Sequence, residues 1–340
     1  MNYSVFHIIL SLFLFGICIQ AIFADETADE WYEQGNTHFN KSEYEEALQA
    51  YDKAFQLNQN FTAALISKGI PYQKLCQGEI ALDTLTNVVE THPEDADGWF
   101  ALGSLYFERG NYTEAADAFR QAIVIRPAFR DAWNYLGNAL FVKGLFTDSA
   151  EAYQKTLEID PQYENARDGV NMTHEAAQNP AKGWKYIGDY LYGEGKFTEA
   201  LHAYNQSLFI DPAYVAAQTN LNTTISALLD PEKAMLGPPI FSLMFGDYDS
   251  ALKGYEKVIC LYPDSSDAWS GMGLVLQKIK HYTAAEHAYQ EALRLKPDDD
   301  KIWKTFGDLL LIMGKENDAR NAFDQAQSLQ SGKHRSQGNP

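Results

Sequence analysis

The tryptophans of this 340-residue chain stand at intervals that are all multiples of 17 residues. They occupy positions Trp31, Trp99, Trp133, Trp184, Trp269 and Trp303. A glycine follows each tryptophan four residues later, an alanine or serine follows twelve residues after the glycine, and prolines close most of the units. Because several residue types recur at the same spacing, the sequence predicts an array of structural repeats, in which one supersecondary unit is built again and again.

Each unit contains two short runs in which apolar residues recur at helical spacing, which predicts a pair of amphipathic helices. Glycine and alanine stand where the two helices would cross, because a larger side chain would hold the backbones apart. Proline ends the second helix, which it cannot continue. The tryptophan is expected to fill the space between neighbouring units, so Trp133 is predicted to be buried.

The third unit carries the full pattern, in the residues Trp99, Leu102, Gly103, Tyr106, Ala115, Phe119, Ala122 and Pro127. The motif W-x2-L-G-x2-Y, followed by A-x3-F-x2-A and P at a period of 34, resembles the tetratricopeptide repeat family. The resemblance runs from residue 28 to about residue 330. It implies an all-α fold, a right-handed superhelical solenoid of antiparallel helix pairs with about eight repeats in two blocks.

The register slips twice, each time by 17 residues, and these slips set the predicted boundaries. The first block spans 28–163, with repeats at 28–61, 62–95, 96–129 and 130–163. The second block spans 181–330, with repeats at 181–214, 232–265, 266–299 and 300–330. An extra polar helix is predicted at 164–180, an extra helix at 215–231 and a disordered tail at 331–340. The second extra helix either covers the end of a stack or serves as helix A of the sixth repeat.

The first 24 residues resemble a signal peptide or a signal anchor. Val5 to Ala24 is nearly all apolar, and Asp25 begins a polar sequence. Ala24 suits a cleavage site, whereas the absence of a preceding Lys or Arg and the length of the run suit an uncleaved anchor. Either alternative predicts an extracytoplasmic protein, secreted or held at the membrane by this segment.

Composition and motifs argue against several classes of function. A net charge of −19 spread along the chain disfavours nucleic acid as a partner. The repeats leave no room for a separate catalytic domain, and no phosphate-binding glycine loop or metal-ligand spacing occurs. The chain is therefore predicted to be no enzyme and to hold no cofactor or metal.

The family resemblance implies a concave groove lined by fixed positions of helix A. Carried onto this chain, those positions begin with acidic residues such as Asp29 and Asp97. The candidate binding residues are Tyr32, Asn36, Phe100, Phe107, Asn134, Asn138 and Phe141. Amides would bond the backbone of an extended peptide while aromatic rings hold its apolar side chains. The alternative is that these aromatic residues pack on the adjacent repeat.

The segment Pro231 to Gly246 combines prolines with Ile240, Phe241 and Phe245. It is either a proline-kinked helix A with buried apolar residues or an exposed apolar contact for a partner or membrane.

Asn-X-Ser/Thr acceptors for glycosylation occur at Asn60, Asn111, Asn171, Asn205 and Asn222.

The sequence as a whole predicts a non-catalytic, exported scaffold for protein–protein interaction. Its groove would hold an extended peptide or a partner protein. The alternative is a membrane-anchored assembly factor or chaperone for cell-envelope proteins, which also uses the Ile240 to Phe245 segment.

Overall fold

A computed structural model describes residues 27–337 of the protein, with side chains through Ser331. Helices account for every regular element of this part of the chain. In chain order they are α1 (Ala28–Asn40), α2 (Tyr44–Leu57), α3 (Thr62–Ser67), α4 (Gly69–Lys74), α5 (Gly78–Thr91), α6 (Ala96–Arg109), α7 (Tyr112–Ile125), α8 (Arg130–Val142), α9 (Phe146–Ile159), α10 (Glu164–Gln178), α11 (Pro180–Gly193), α12 (Phe197–Ile210), α13 (Val215–Leu229), α14 (Pro231–Met244), α15 (Tyr248–Leu261), α16 (Ser266–Lys278), α17 (Tyr282–Leu295), α18 (Asp300–Ile312) and α19 (Glu316–Gln337). The prediction of an all-α repeat fold is confirmed.

The helices form hairpins because helix A of each repeat crosses helix B at a residue without a side chain. A Cβ atom built on Gly35 would lie 2.5 Å from the Tyr51 ring, and one on Gly103 would lie 2.7 Å from Phe119. Both rings are almost completely buried. The glycine register of the sequence therefore marks the points where the two helices of a hairpin approach most closely.

The chain divides into two compact units, one running to Ala139 and including Glu158–Pro161, the other comprising Leu140–Leu157 and Gln162 onwards. In the first unit one core surrounds Tyr51 and a second surrounds Leu85. In the second unit one core surrounds Tyr255 and another surrounds Tyr289. Each core joins one hairpin to the next, as expected when a single helix pair cannot bury its own apolar face.

The tryptophans are only half buried, so the prediction that Trp133 is buried is wrong in degree. The reason is a hydrogen bond that keeps the indole near the surface: Trp133 Nε1 donates to the carbonyl oxygen of Pro127 at 2.9 Å. Trp99, Trp269 and Trp303 repeat this bond to the proline six residues earlier, at 2.8–3.0 Å. Tryptophan and proline thus recur together because they close the turn between successive repeats.

The two 17-residue slips of the register are the helices α10 and α13. Each is followed directly by a helix that begins with proline and is capped by the residue before it, Asn179 for α11 and Asp230 for α14. Helix α13 packs on α12, while α14 pairs with α15 as the sixth hairpin. The interpretation of 215–229 as helix A of the sixth repeat is therefore wrong, because α14 takes that place.

Two of the helices that occupy the helix A position contain proline. In the second repeat the chain forms two short helices, α3 and α4, that meet at Lys68, with Pro71 inside the latter. Helix α14 stays continuous although Pro238 and Pro239 lie within it. Within residues 27–337 no helix has both the length and the apolar character that crossing a bilayer requires. The predicted signal segment, residues 1–24, lies outside the described residues.

Candidate binding surfaces

The predicted groove residues separate into two groups by exposure. Tyr32, Asn36, Phe100 and Asn138 are half buried and reach the surface. Phe107, Asn134 and Phe141 are buried and are not available to a ligand in this conformation.

The two half-buried aromatic residues pack between repeats and keep one edge open. The ring of Tyr32 lies 5.0 Å from that of Phe61, and its hydroxyl is 3.0 Å from Ser67 Oγ in the second repeat. The ring of Phe100 lies 4.9 Å from that of Phe129 and 5.4 Å from that of Tyr135. Each of these two side chains therefore packs against a neighbouring repeat and also stays partly exposed, as the two alternative predictions separately required.

Phe107 and Phe141 correct the groove prediction. Phe107 stacks edge-on against Tyr112 at 5.2 Å, and Phe141 lies 5.5 Å from Phe146. In each case the partner is the first residue of helix B, five positions later. Phe39 with Tyr44 and Tyr192 with Phe197 repeat the pairing. This helix A position is aromatic in these four repeats because its ring packs on the first residue of helix B. The ring is buried at Phe107 and Phe141 and half buried at Phe39 and Tyr192.

Asn36 serves the core, since its Oδ1 accepts a hydrogen bond from the Tyr51 hydroxyl at 2.9 Å. Burial, assisted by Tyr32 and Glu33, raises the pKa of Tyr51 to about 12. Elsewhere the same task falls to Asp189, which accepts from Tyr204 at 2.9 Å, and to Gln277, which accepts from Tyr289. In these three repeats, a polar residue in the second half of helix A accepts a hydrogen bond from the tyrosine hydroxyl of helix B.

Asn134 is 4% exposed, and its Oδ1 has no hydrogen-bond partner among the described residues. A buried amide oxygen without a donor costs free energy. The register places Asn134 correctly on helix A, but the side chain is buried, so a ligand cannot reach it in this conformation.

One polar cluster in the second unit was missed by the sequence reasoning. Asp189 accepts from Asn220 Nδ2 at 2.8 Å and pairs with Lys185 Nζ at 2.5 Å, in addition to its bond from Tyr204. Burial, followed by the bond to Asp189, raises the pKa of Tyr204. The signal was present, because Asp189 and Tyr204 have the same separation of 15 residues as Asn36 and Tyr51.

The five candidate glycosylation asparagines are all exposed. In three of the acceptor motifs the hydroxyl residue is fully buried, namely Thr173, Ser207 and Thr224. Ser207 Oγ donates to the Ala181 carbonyl at 2.6 Å, so this hydroxyl belongs to the packing of the hairpin. Attachment of a glycan at these asparagines stays a prediction.

The apolar segment of α14 is an exposed surface, so the buried interpretation is wrong. Ile240 is 46% exposed, Phe241 62%, Met244 76% and Phe245 73%. The Phe241 and Phe245 rings lie 4.5 Å apart and form one surface. Pro239, on the opposite side of the helix, is buried against Gly254.

Within the described part of the chain, no three side chains of His, Cys, Asp or Glu are placed so that they could hold a metal ion.

Repeated helical hairpins with half-exposed aromatic and polar residues on helix A define the class of helical-repeat proteins. Family models named tetratricopeptide repeat match residues 28–61, 77–129, 130–163 and 266–299. The chain contains tetratricopeptide repeats, and proteins built of such repeats generally mediate protein–protein interaction.

Two relatives in sequence each match about 30% of the chain, and a solved structure matches more of it at lower identity. Small glutamine-rich tetratricopeptide repeat-containing protein 2 of Mycosarcoma maydis is 26% identical over 98 residues, 29% of this chain and 28% of that protein. A probable UDP-N-acetylglucosamine–peptide N-acetylglucosaminyltransferase, SPINDLY, of Solanum lycopersicum is 25% identical over 105 residues, 31% of this chain and 11% of that protein. A solved tetratricopeptide repeat protein from Parabacteroides merdae has a TM-score of 0.39 at 15% identity, covering 84% of this chain and 98% of that one.

Proposed function

We propose that the protein is an exported, non-catalytic scaffold whose helix A surface holds an extended segment of another protein. The observation that carries the proposal is the shared register of Tyr32 and Phe100, which stay half exposed in the first and third repeats. Exposed Asp29 and Asp97 stand three residues before them. A half-exposed aromatic ring with a carboxylate in the preceding turn suits a peptide that carries apolar and basic side chains. At Asp97 such a basic side chain would compete with Arg126, whose Nη1 donates to Asp97 Oδ1 at 2.9 Å.

The groove test compares two charge reversals of equal size. Asp29→Lys with Asp97→Lys changes the proposed surface, whereas Asp83→Lys with Asp117→Lys changes exposed positions on helix B. A partner recovered with the exported wild-type protein should bind the first double variant at least about tenfold more weakly and the second with unchanged affinity. Equal affinity for both variants would place the binding site elsewhere.

A second candidate is a membrane-anchored assembly factor or chaperone for envelope proteins. The exposed apolar face of α14 favours it, since a large apolar patch marks an interaction site. The two candidates differ at the N-terminus: the scaffold loses residues 1–24, and the anchored factor keeps them.

A further inference from the structure

The exposed face of α14 differs from the equivalent face of the other hairpins. The third, seventh and tenth positions of a repeat lie on one side of helix A. In the fourth repeat these are Ala132, Leu136 and Ala139, all buried, and in the eighth they are Ile302, Phe306 and Leu309, also buried. In the first repeat they are polar, namely Glu30, Gln34 and Thr37. In the sixth they are Ala234, Pro238 and Phe241, which are apolar, and the last two are exposed.

The opposite side of α14 is tightly packed against the rest of the second unit. Met235 is buried, and its Cε lies 2.9 Å from the position that a Cβ on Gly195 would take. Pro239 packs against Gly254 in the same way, at 2.8 Å. Both contacts leave the side of α14 that carries Phe241 and Phe245 uncovered. The exposure is therefore a property of the packed hairpin.

The size of the surface helps to choose its occupant. Ile240, Phe241, Met244 and Phe245 together leave roughly 500 Å² open if a full side chain presents about 200 Å². A stable dimer needs about 800 Å² from each partner, so a second copy would gain too little from this face alone. A single amphipathic helix that lays its apolar stripe on the surface fits the available area better.

The charged residues near this surface indicate which charge the partner helix should carry. Asp230 lies before α14, Glu232 lies in its first turn, and Asp247 and Asp249 lie just beyond its end. The nearby basic residues are Lys233 and the exposed Lys253 of α15, so these four acidic residues outnumber them by two. The whole chain carries −19. An acidic rim disfavours anionic lipid and attracts a basic partner.

We infer that the exposed face of α14 docks an amphipathic helical segment of a partner protein, with apolar side chains flanked by lysine or arginine. Phe241 and Phe245 anchor the apolar stripe, and the acidic rim selects the basic flanks. The site is separate from the helix A positions of the first and third repeats and does not depend on their function.

The test uses two synthetic amphipathic helices with the same leucine stripe, one flanked by lysine and the other by glutamate. Binding to the full exported chain is measured by fluorescence anisotropy at low and at physiological salt. The lysine peptide should bind about tenfold more tightly than the glutamate peptide at low salt, and the difference should shrink as salt is added.

The variant that tests the anchors is Phe241→Ser with Phe245→Ser. It should weaken the lysine peptide by about tenfold or more, as truncation of aromatic anchors does. The matched control is Phe209→Ser, because Phe209 is an 85% exposed phenylalanine on α12 of the same unit. The control should change binding by less than about twofold, and circular dichroism melting should shift by less than about 2 °C in both.

Equal binding of the two peptides, or an equal loss in the Phe209→Ser control, would overturn the inference. Sedimentation and vesicle flotation examine the other occupants. A dimer of the wild-type chain that Phe241→Ser with Phe245→Ser dissociates would assign the face to a second copy. Binding to phosphatidylcholine vesicles that the same variant abolishes would assign it to a membrane. Either result would replace the proposed helix.

Discussion

At the scale of the residue, each turn between helix A and helix B holds one residue in the left-handed conformation. Five of these residues are glycine, at positions 110, 144, 195, 246 and 314. Ser42, Cys76 and Lys280 take the same place in the other repeats, with φ between 58° and 67°. A side chain in this region costs about 1–2 kcal/mol, so these three turns are strained relative to the others.

Lys280→Gly should therefore stabilise the protein by about 0.5–1 kcal/mol, the relief of strain less the extra freedom of the unfolded chain. Urea unfolding followed by circular dichroism measures the change. Gly314→Ala, at the equivalent turn of the last repeat, should lose about 1–2 kcal/mol. A Lys280→Gly variant less stable than wild type would show that the lysine side chain stabilises its turn.

The structural role of Asn36 can be measured with Tyr51. Asn36→Ala should cost about 1–3 kcal/mol, because it leaves the Tyr51 hydroxyl inside the hairpin without its acceptor. Tyr51→Phe in the same chain should recover most of that loss. A double-mutant cycle with no coupling between the two positions would contradict this assignment and return Asn36 to the list of ligand contacts.

At the scale of the element, the stability of a hairpin depends on how closely its two helices approach. The register predicts where they cross, and the structure confirms a glycine against a buried ring at Gly35 and Gly103. Other glycines lie in helices without such a neighbour, and Gly237 in α14 has no atom within 4 Å of a built Cβ. Gly103 and Gly237 lie in helices of the same length, yet only Gly103 is required by close packing of its hairpin.

Gly103→Ala should destabilise the protein by about 1–3 kcal/mol, because its Cβ would lie 2.7 Å from the Phe119 ring in a fully packed core. Gly237→Ala should instead stabilise it by about 1 kcal/mol through helix propensity. Thermal and urea unfolding of the two variants give the comparison. If both variants gained stability, the crossing glycines would not be required for close packing.

The hairpins, their turns and the crossing glycines could be predicted because each follows from a residue's position within one repeat. The solvent exposure of helix A residues could not be predicted from the sequence. Asn134 and Phe100 have the same register, yet the former is buried without a partner for its oxygen and the latter keeps an open edge. Exposure depends on packing beyond the single repeat, which the register does not describe. Helix α14 shows the opposite case, because its apolar residues Phe241 and Met244 are exposed.

At the scale of the whole molecule, the proposed export rests on the first 24 residues, which resemble a signal sequence. Mass spectrometry of the exported protein should find a chain that begins at or near Asp25, since signal cleavage follows a small residue such as Ala24. A chain that keeps Met1 and fractionates with the membrane would instead support the anchored assembly factor.

The extra helices α10 and α13 recur at a distance of 51 residues, together with the hairpins that follow them. A Cβ on Gly144 would meet Trp184, and one on Gly195 would meet Met235, so the same contact returns 51 positions later. In this stretch of the chain the repeating unit is therefore three helices, an extra helix and the hairpin after it, rather than two. If a gene gained or lost one such 51-residue block, the new junction would again place a left-handed glycine turn against a large apolar side chain, so the array could change its length without a new kind of contact at that point.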